Sequence, residues 1–291
     1  MNYTIENDKI KLTVSDHGAE IKSLIRKSDN TEMMWQADSA FWGRTSPVLF
    51  PLVGNYYDKK SVYAGKTYEM GQHGFARDMD FELIKESTDE LEFQLKDSEA
   101  SKIKYPFDFI LTLSYKITDA TVKVGWKVEN PGQETMYFSI GGHPAFNCDL
   151  DTYTLRFEKN GNTNSEITAN IIAGDGSGCL GNDQSTFKLD NGILKMTDEL
   201  FSRDALIIED RQADCVTMID ADDKKVLRVK FDAPLFGIWS PAGKKAPFVC
   251  IEPWYGRCDR VGFSQKLEDR EYGNSLNPGE EFKTSYKIKV Y

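Results

Sequence analysis

The sequence has little positive charge and few cysteines. Its 291 residues include 36 lysines and arginines against 46 acidic residues, which gives a net charge of -10. A surface of that sign repels a polyanion, so we expect no nucleic-acid partner. The five cysteines show no paired C-x-x-C spacing, and they therefore predict neither a disulfide framework nor a structural zinc site.

Long apolar runs are also absent. No run approaches the roughly 20 apolar residues that a membrane-spanning helix requires, and residues 1–6 lack the order of a signal peptide. We therefore expect a soluble, cytoplasmic protein with no membrane partner. The three histidines show no H-x-x-x-H or H-E-x-x-H spacing, so no metal site is predicted; a metal cluster would have to be assembled in space.

A period of two dominates the chain, whereas helical patterning is scarce. Apolar and polar residues alternate over residues 10–14, 91–95, 109–117, 122–128, 227–231 and 286–290, as half-buried strands require. Short turn sequences, such as Asn130-Pro131-Gly132, favour antiparallel neighbours. The pattern predicts an all-β, antiparallel sandwich with a few short helices, for which residues 38–42, 98–104 and 197–202 are the candidates.

No low-complexity linker or fixed-period repeat divides the chain, so we expect one domain over residues 1–291. The glycine-rich interval 160–181 predicts a long surface loop. Within it, Gly176, Gly178 and Gly181 match the dinucleotide-binding pattern G-x-G-x-x-G, but the residues that follow do not predict the helix that this site needs. No nucleotide cofactor is expected.

Two short phrases each contain one histidine, the side chain that exchanges protons near neutral pH. His143 lies between Gly142 and Pro144 at the exit from an apolar strand. A core histidine bonded to a carbonyl group is the alternative, but small neighbours let a ligand approach the backbone, and we favour a functional role. His73 is followed four residues later by Arg77, whose guanidinium can hold a carboxylate or phosphate.

Arginines near these histidines have two interpretations. Arg77 either binds an anionic group of a ligand or pairs with Asp78 or Asp80, and the same ambiguity holds for Arg44. Two arginines that converge would indicate an anionic substrate.

A third phrase places a carboxylate in an apolar setting. Glu252 follows an uninterrupted apolar stretch and precedes Pro253, so we expect it to be buried and to be a candidate base with a raised pKa. Trp254 shares a face with Glu252 if the strand continues, and its ring then either seats the apolar face of a sugar or belongs to the core.

Three phrases follow one another along the chain: His-Gly-Phe-Ala-Arg at residues 73–77, Gly-Gly-His-Pro-Ala-Phe at 141–146 and Ile-Glu-Pro-Trp-Tyr-Gly at 251–256. Taken in this order, they resemble those of the aldose 1-epimerase (galactose mutarotase) superfamily, specifically its LacX-like branch. The resemblance covers nearly the whole chain and implies a β-supersandwich and anomer exchange of a free aldohexose, such as galactose or glucose, without a cofactor. It implies that His143 protonates the ring oxygen and that Glu252 takes the proton of the C1 hydroxyl. It further implies that His73 binds the sugar and that Asp204 grips its hydroxyl groups.

Two alternatives remain open on the sequence. Arg77 and Arg44 are similar to the phosphate-binding pair of the hexose-6-phosphate 1-epimerase branch, although the segment around Arg44 departs from its Arg-Gly-Gly-x-Pro pattern. A non-catalytic carbohydrate-binding sandwich is the second alternative. The expected partner is a small sugar or sugar phosphate, and the expected assembly is a monomer or homodimer.

Overall fold

Strands make up most of the computed structural model, which describes all residues from Met1 to Tyr291. In chain order the first thirteen are β1 (Asn2–Glu6), β2 (Ile10–Ser15), β3 (Ile21–Arg26), β4 (Thr31–Glu32), β5 (Val48–Leu49), β6 (Lys60–Tyr63), β7 (Lys66–Glu69), β8 (Glu82–Glu86), β9 (Glu90–Lys96), β10 (Ile110–Thr118), β11 (Thr121–Glu129), β12 (Met136–Phe138) and β13 (Ile140–Gly142). The others are β14 (Ala145–Asn147), β15 (Thr154–Lys159), β16 (Asn162–Thr163), β17 (Glu166–Ile172), β18 (Leu180–Lys188), β19 (Ile193–Lys195), β20 (Leu206–Ile208), β21 (Cys215–Ile219), β22 (Lys225–Phe231), β23 (Leu235–Trp239), β24 (Phe248–Tyr255), β25 (Asn274–Leu276) and β26 (Glu281–Val290).

The helices are short. One α-helix, α1 (Glu99–Lys102), begins after Ser98, whose side chain accepts a hydrogen bond from the Ser101 backbone N–H. Four 3-10 turns occupy Tyr57–Lys59, Ala76–Asp78, Asp198–Phe201 and Leu267–Asp269. None of these helices has the length and apolar character that crossing a membrane demands.

Two large antiparallel sheets contain most of the strands. The first has ten strands in the order β16-β15-β21-β22-β26-β11-β10-β9-β8, with β19 beside β15. The second has eight, in the order β18-β17-β20-β23-β24-β13-β5, with β14 beside β24. Strands β1 to β4 form a separate four-stranded sheet, and β12-β25 and β6-β7 are two-stranded. The predicted all-β, antiparallel sandwich is confirmed.

A cluster of 64 buried residues forms the main core, and β24 shows how the second sheet divides its residues between two faces. Val249 and Ile251 belong to the main core. On the opposite face, Phe248 and Cys250 belong to one small apolar cluster and Trp254 to another. Glu252 lies between these two clusters because successive side chains of a strand alternate between its faces.

The six alternating stretches lie in strands, apart from Phe109, which directly precedes β10, but two other predictions require correction. The predicted surface loop over residues 160–181 is wrong, because β17 occupies part of it and β18 begins at Leu180. Ile167, Ala169 and Ile171 are buried and alternate along β17, which fixes it in the second sheet. Residues 38–42 form no helix; they make one turn in which two backbone N–H groups donate to the Asp38 carbonyl oxygen.

Candidate active site

The register of the second sheet places His143 across from Glu252. On one side of the histidine, Gly141 pairs with Trp254, and on the other side Ala145 pairs with Cys250. The register is therefore the same in β13 and β14, and the interruption between them, residues 143–144, faces the middle of β24. Pro144 interrupts the ladder because proline has no N–H to donate. The interruption frees the imidazole from a regular strand position while keeping it opposite the carboxylate.

The two side chains meet in the interior. His143 Nε2 lies 3.3 Å from Glu252 Oε2, and the histidine and glutamate side chains are only 9% and 1% exposed. Both carboxylate oxygens and His143 Nδ1 lack a hydrogen-bond partner within the protein. Buried polar atoms without partners are rare because each costs free energy, so this set is poised to bind a polar ligand.

Burial shifts the pKa of each member of the pair toward its neutral form. It lowers the pKa of His143 to about 3, and the positive charges of Arg77 and Arg44 act in the same direction. Burial also raises the pKa of Glu252 well above its ordinary value, with a smaller contribution from the negative charge of Asp204. In the neutral pair, the carboxyl group can donate a proton and the imidazole can accept one. In the charged pair, the imidazolium can donate a proton and the carboxylate can accept one.

His73 is held in a single tautomer. Its Nδ1 accepts a hydrogen bond of 3.0 Å from the Gly54 backbone N–H. Burial lowers the pKa of His73 well below its ordinary value, so the ring is neutral and its proton lies on Nε2. The rings of His73 and His143 meet edge to face with centroids 5.7 Å apart. His73 therefore has one N–H group available to donate beside the pair.

Tryptophans form the walls around His143. Trp42 stacks on the imidazole with ring centroids 4.7 Å apart, and Trp239 meets it edge-on at 5.4 Å. These contacts fix the plane of the ring. They also bury its faces, which is the main reason for its low pKa.

The indole ring of Trp254, a residue of β24, packs between two glycines on the neighbouring strands β13 and β23. A Cβ atom on Gly141 of β13 would lie 2.6 Å from Cδ1 of the indole, and one on Gly237 of β23 would lie 2.6 Å from Cη2 and Cζ2. Both glycines are therefore required by the close approach of the ring. The indole Nε1 is buried without a partner, so this wall also offers a donor to a ligand.

A cavity of about 340 Å³ connects these residues and opens to the surface. This volume lies at the low end of the roughly 300–1,000 Å³ that small-molecule sites span. Six of the seven predicted site residues line it: His73, Arg77, His143, Asp204, Glu252 and Trp254.

Arg77 and Arg44 differ in their relation to the cavity. Arg77 lines it, with its side chain 17% exposed and its Nη2 bound to the Gln72 carbonyl oxygen; its buried Nε makes no hydrogen bond but lies 3.8 Å from Asp78 Oδ2 in an ion pair. Arg44 does not line it; its Nη2 lies 2.7 Å from Asp78 Oδ1 in an ion pair. The expectation that Arg44 binds substrate is not met, because the neighbouring Asp78 already occupies its guanidinium.

Asp204 stands at the mouth of the cavity. Its backbone has a φ of 72°, and its Oδ1 accepts a hydrogen bond of 2.9 Å from the Ala205 N–H, while the side chain is exposed. This position leaves the second oxygen of the carboxylate available to a ligand.

Several lining residues were not predicted from the sequence, among them Trp42, Trp239 and Gln72. Gln72 directly precedes His73, and Trp42 lies two residues before Arg44. Trp239 ends β23, and only the pairing of that strand with β24 brings it to the cavity. The buried thiol of Cys250 is a further omission, because its ligand atom lies within 4.8 Å of those of His143 and Glu252.

Comparison with known proteins identifies the family. The family model for aldose 1-epimerase matches residues 1–289. The chain belongs to the aldose 1-epimerase family. The resemblance predicted from the three motifs, including its LacX-like branch, is confirmed.

Solved structures and a curated sequence show where the chain falls within the aldose 1-epimerase family. A galactose mutarotase related enzyme from Lactobacillus acidophilus is 37% identical with a TM-score of 0.93, and the match covers 100% of this chain and 97% of that one. A galactose mutarotase-like protein from Lactobacillus casei is 30% identical with a TM-score of 0.91 over the full length of both chains. The chromosomal protein LacX of Lactococcus lactis subsp. lactis is 28% identical over 306 aligned positions, which cover 100% of this chain and 99% of the relative. Membership of the aldose 1-epimerase family implies a small sugar as ligand and an isomerase as the enzyme class.

Proposed function

We propose that the protein is a mutarotase that interconverts the α and β anomers of a free aldohexose, such as galactose or glucose. The observation that carries this proposal is the 3.3 Å separation of His143 Nε2 and Glu252 Oε2 at the wall of a sugar-sized cavity. The ring oxygen and the C1 hydroxyl of a pyranose are bonded to the same carbon atom. Two groups this close together are able to reach both oxygens at once.

Ring opening requires one proton to arrive and one to leave. His143 in its protonated form donates to the ring oxygen while Glu252 as a carboxylate accepts the proton of the C1 hydroxyl. The C1–ring oxygen bond breaks, the C1 carbonyl group forms, and the pair is left as a neutral imidazole and a protonated carboxyl group. After rotation about C1–C2, the carboxyl group returns a proton to the C1 oxygen and the imidazole takes one from the ring-forming hydroxyl.

The charged pair, imidazolium and carboxylate, is thus the starting state of ring opening, and the neutral pair, imidazole and carboxyl group, is its end state. Burial favours the neutral distribution, which is the form that closes the ring, and a sugar hydroxyl group beside Glu252 favours the charged form that opens it. Because the step is redox-neutral and returns both residues to their starting state, the two side chains supply all the chemistry that the reaction needs.

The other residues of the cavity serve to hold the sugar. The Nε2–H of His73 is a fixed donor to a ring or hydroxyl oxygen, and Asp204 at the mouth is an acceptor. Trp254 offers a flat apolar surface and one N–H donor, which suits the mixed C–H and O–H surface of a pyranose. These roles follow from position and from the groups left without partners.

A hexose-6-phosphate 1-epimerase is the second candidate, favoured by the buried Nε of Arg77, which makes no hydrogen bond. A phosphate could accept from that N–H, since guanidinium groups match phosphate oxygens. Asp78 speaks against it, because its carboxylate lies 2.7 Å from Arg44 Nη2 and 3.8 Å from Arg77 Nε and so offsets the positive charge that a phosphate would bind. The third candidate, a non-catalytic carbohydrate-binding sandwich, has no use for a buried pair of proton-exchanging groups.

Polarimetry of freshly dissolved α-anomers distinguishes the candidates. The proposal predicts that the protein accelerates anomer exchange of free galactose or glucose. It also predicts that the KM for the free sugar is no higher than the KM for glucose 6-phosphate. If phosphate is recognised, Arg77→Ala raises KM for glucose 6-phosphate alone, whereas the surface variant Arg211→Ala, whose partner is Asp232, changes neither. Saturable sugar binding with no acceleration of anomer exchange would contradict both enzyme functions.

A further inference from the structure

Cys250 brings a third metal-binding atom to the His143–Glu252 pair. The thiol, imidazole and carboxylate atoms of these residues lie within 4.8 Å of one another, and all three residues are buried. Cys250 and Glu252 are two positions apart on β24 and share a face of the strand, while His143 faces them across the interrupted ladder. The proposed reaction uses the imidazole and the carboxylate but leaves the thiol without a function.

The spacing of the pair matches that of two ligands on one tetrahedral ion. Zinc bonds of roughly 2.0–2.1 Å to nitrogen and 2.0–2.2 Å to oxygen at a tetrahedral angle separate the two ligand atoms by about 3.3–3.5 Å. His143 Nε2 and Glu252 Oε2 lie 3.3 Å apart. The thiol of Cys250, within 4.8 Å of both atoms, would be the third ligand.

The chemistry of the donors favours zinc over the common hard cations. A thiolate and an imidazole select Zn²⁺, whereas Mg²⁺ and Ca²⁺ take oxygen ligands. Both oxygens of Glu252 are buried without a hydrogen-bond partner, so an ion would not have to displace a protein group from them. A coordinating thiol is deprotonated by the metal itself, which supplies the negative charge that the buried ion requires.

We propose that His143, Cys250 and Glu252 form a binding site for a single Zn²⁺ ion, and that Zn²⁺ and sugar exclude one another. The ion occupies His143 Nε2 and Glu252 Oε2, which are the atoms that a pyranose must reach. Zinc is accordingly an inhibitor that competes with sugar. Metal binding itself does not depend on the proposed mutarotase activity.

Cobalt titration of the full chain tests the site without any sugar. Co²⁺ replaces Zn²⁺ in tetrahedral sites, and a cysteine ligand adds a thiolate-to-cobalt charge-transfer band in the near ultraviolet. We expect that band in the wild type and in Cys215→Ser, a matched variant at a buried cysteine of β21 in the first sheet, and its loss in Cys250→Ser. Cys250→Ala serves as a second variant if the serine destabilises the fold. A band that persists in both Cys250 variants, or its absence from the wild type, overturns the proposal.

The enzymatic test is the zinc dependence of anomer exchange. We expect Zn²⁺ to raise the apparent KM of the wild type and Mg²⁺ to have no effect. Removal of the thiol should raise the half-inhibiting Zn²⁺ concentration by more than about tenfold, because even outer-shell partners of metal ligands are worth roughly 10–100-fold in affinity. Equal zinc inhibition of the wild type and the Cys250 variants overturns the proposal. A cobalt band without mutarotase activity would refute the proposed function and leave the metal site standing.

Discussion

Gly237→Ala should damage sugar binding through Trp254. The added Cβ would lie 2.6 Å from two carbons of the benzo end of the indole, about 0.8 Å closer than the 3.4 Å at which ordinary contact begins. Movement of the ring along the sheet toward β13 is restricted, because its other end packs against Gly141, where an added Cβ would lie 2.6 Å from Cδ1. Its free direction is into the cavity that it lines.

The expected result is a weaker sugar complex and a less stable fold. Overpacking of a dense region typically costs about 1–3 kcal/mol, and a misplacement of about 1 Å near reacting groups can cost on the order of 10²-fold in rate. We therefore expect Gly237→Ala to lower kcat/KM for anomer exchange by about 10-fold to 100-fold. The assays are polarimetry for kcat/KM and thermal unfolding for stability.

Gly174→Ala is the matched control. Its added Cβ would meet nothing within 4 Å, and its backbone does not adopt a positive φ, so activity and stability should both stay near those of the wild type. Full activity and unchanged stability of Gly237→Ala would refute the packing argument. Equal losses in both variants would show that the effect arises from the alanine rather than from the indole.

Three further predictions concern titration and hydrogen bonding. Because the folded pKa of Glu252 is raised, the wild type loses stability as the pH rises above the ordinary value of 4.5, by about 1.4 kcal/mol per pH unit until the folded carboxyl group ionises. Denaturant titrations from pH 5 to 8 should therefore show Glu252→Gln gaining stability over the wild type with rising pH, and a pH-independent difference would contradict the burial argument. Conversely, because the folded pKa of His143 is low, the wild type loses stability as the pH falls from 6.5 toward about 3. Unfolding curves should therefore show His143→Asn gaining stability relative to the wild type at low pH. Parallel pH profiles of the two proteins would refute the low pKa of His143. His73→Asn introduces a residue that tolerates the φ of 66° at this position but removes the Nε2–H donor. Loss of that one hydrogen bond to the sugar should raise the dissociation constant measured by calorimetry about two- to tenfold. An unchanged affinity would show that His73 does not bind the sugar.

The sequence contained most of the site because its members lie in short, unusual phrases. Glu252 could be predicted as buried from its apolar neighbours alone, and it is 1% exposed. His143 could be predicted at a strand exit, and it lies between β13 and β14. Their proximity could not be derived from composition or periodicity, because it depends on the pairing of β13 and β14 with the same strand.

The omissions have the same physical origin. Trp239 reaches the cavity only through the β23–β24 pairing, and Cys250 approaches His143 only through the β14–β24 pairing. For Arg44 the sequence leaves both a phosphate-binding role and an ion pair with a local acid open, and only the fold shows that Asp78 lies at its guanidinium. Long-range register and ion pairing are set by the tertiary fold, which local patterns do not report.

Anomer exchange by the two single variants and the double variant of the His143–Glu252 pair tests the account most directly. Each of His143→Asn and Glu252→Gln should lower kcat by about 10²–10⁴-fold, the usual contribution of a positioned acid or base. Because the two proton transfers belong to the same ring-opening step, the double variant should be only slightly slower than the slower single variant. Near-normal rates in the single variants, or losses that multiply in the double variant, would contradict a coupled acid–base pair.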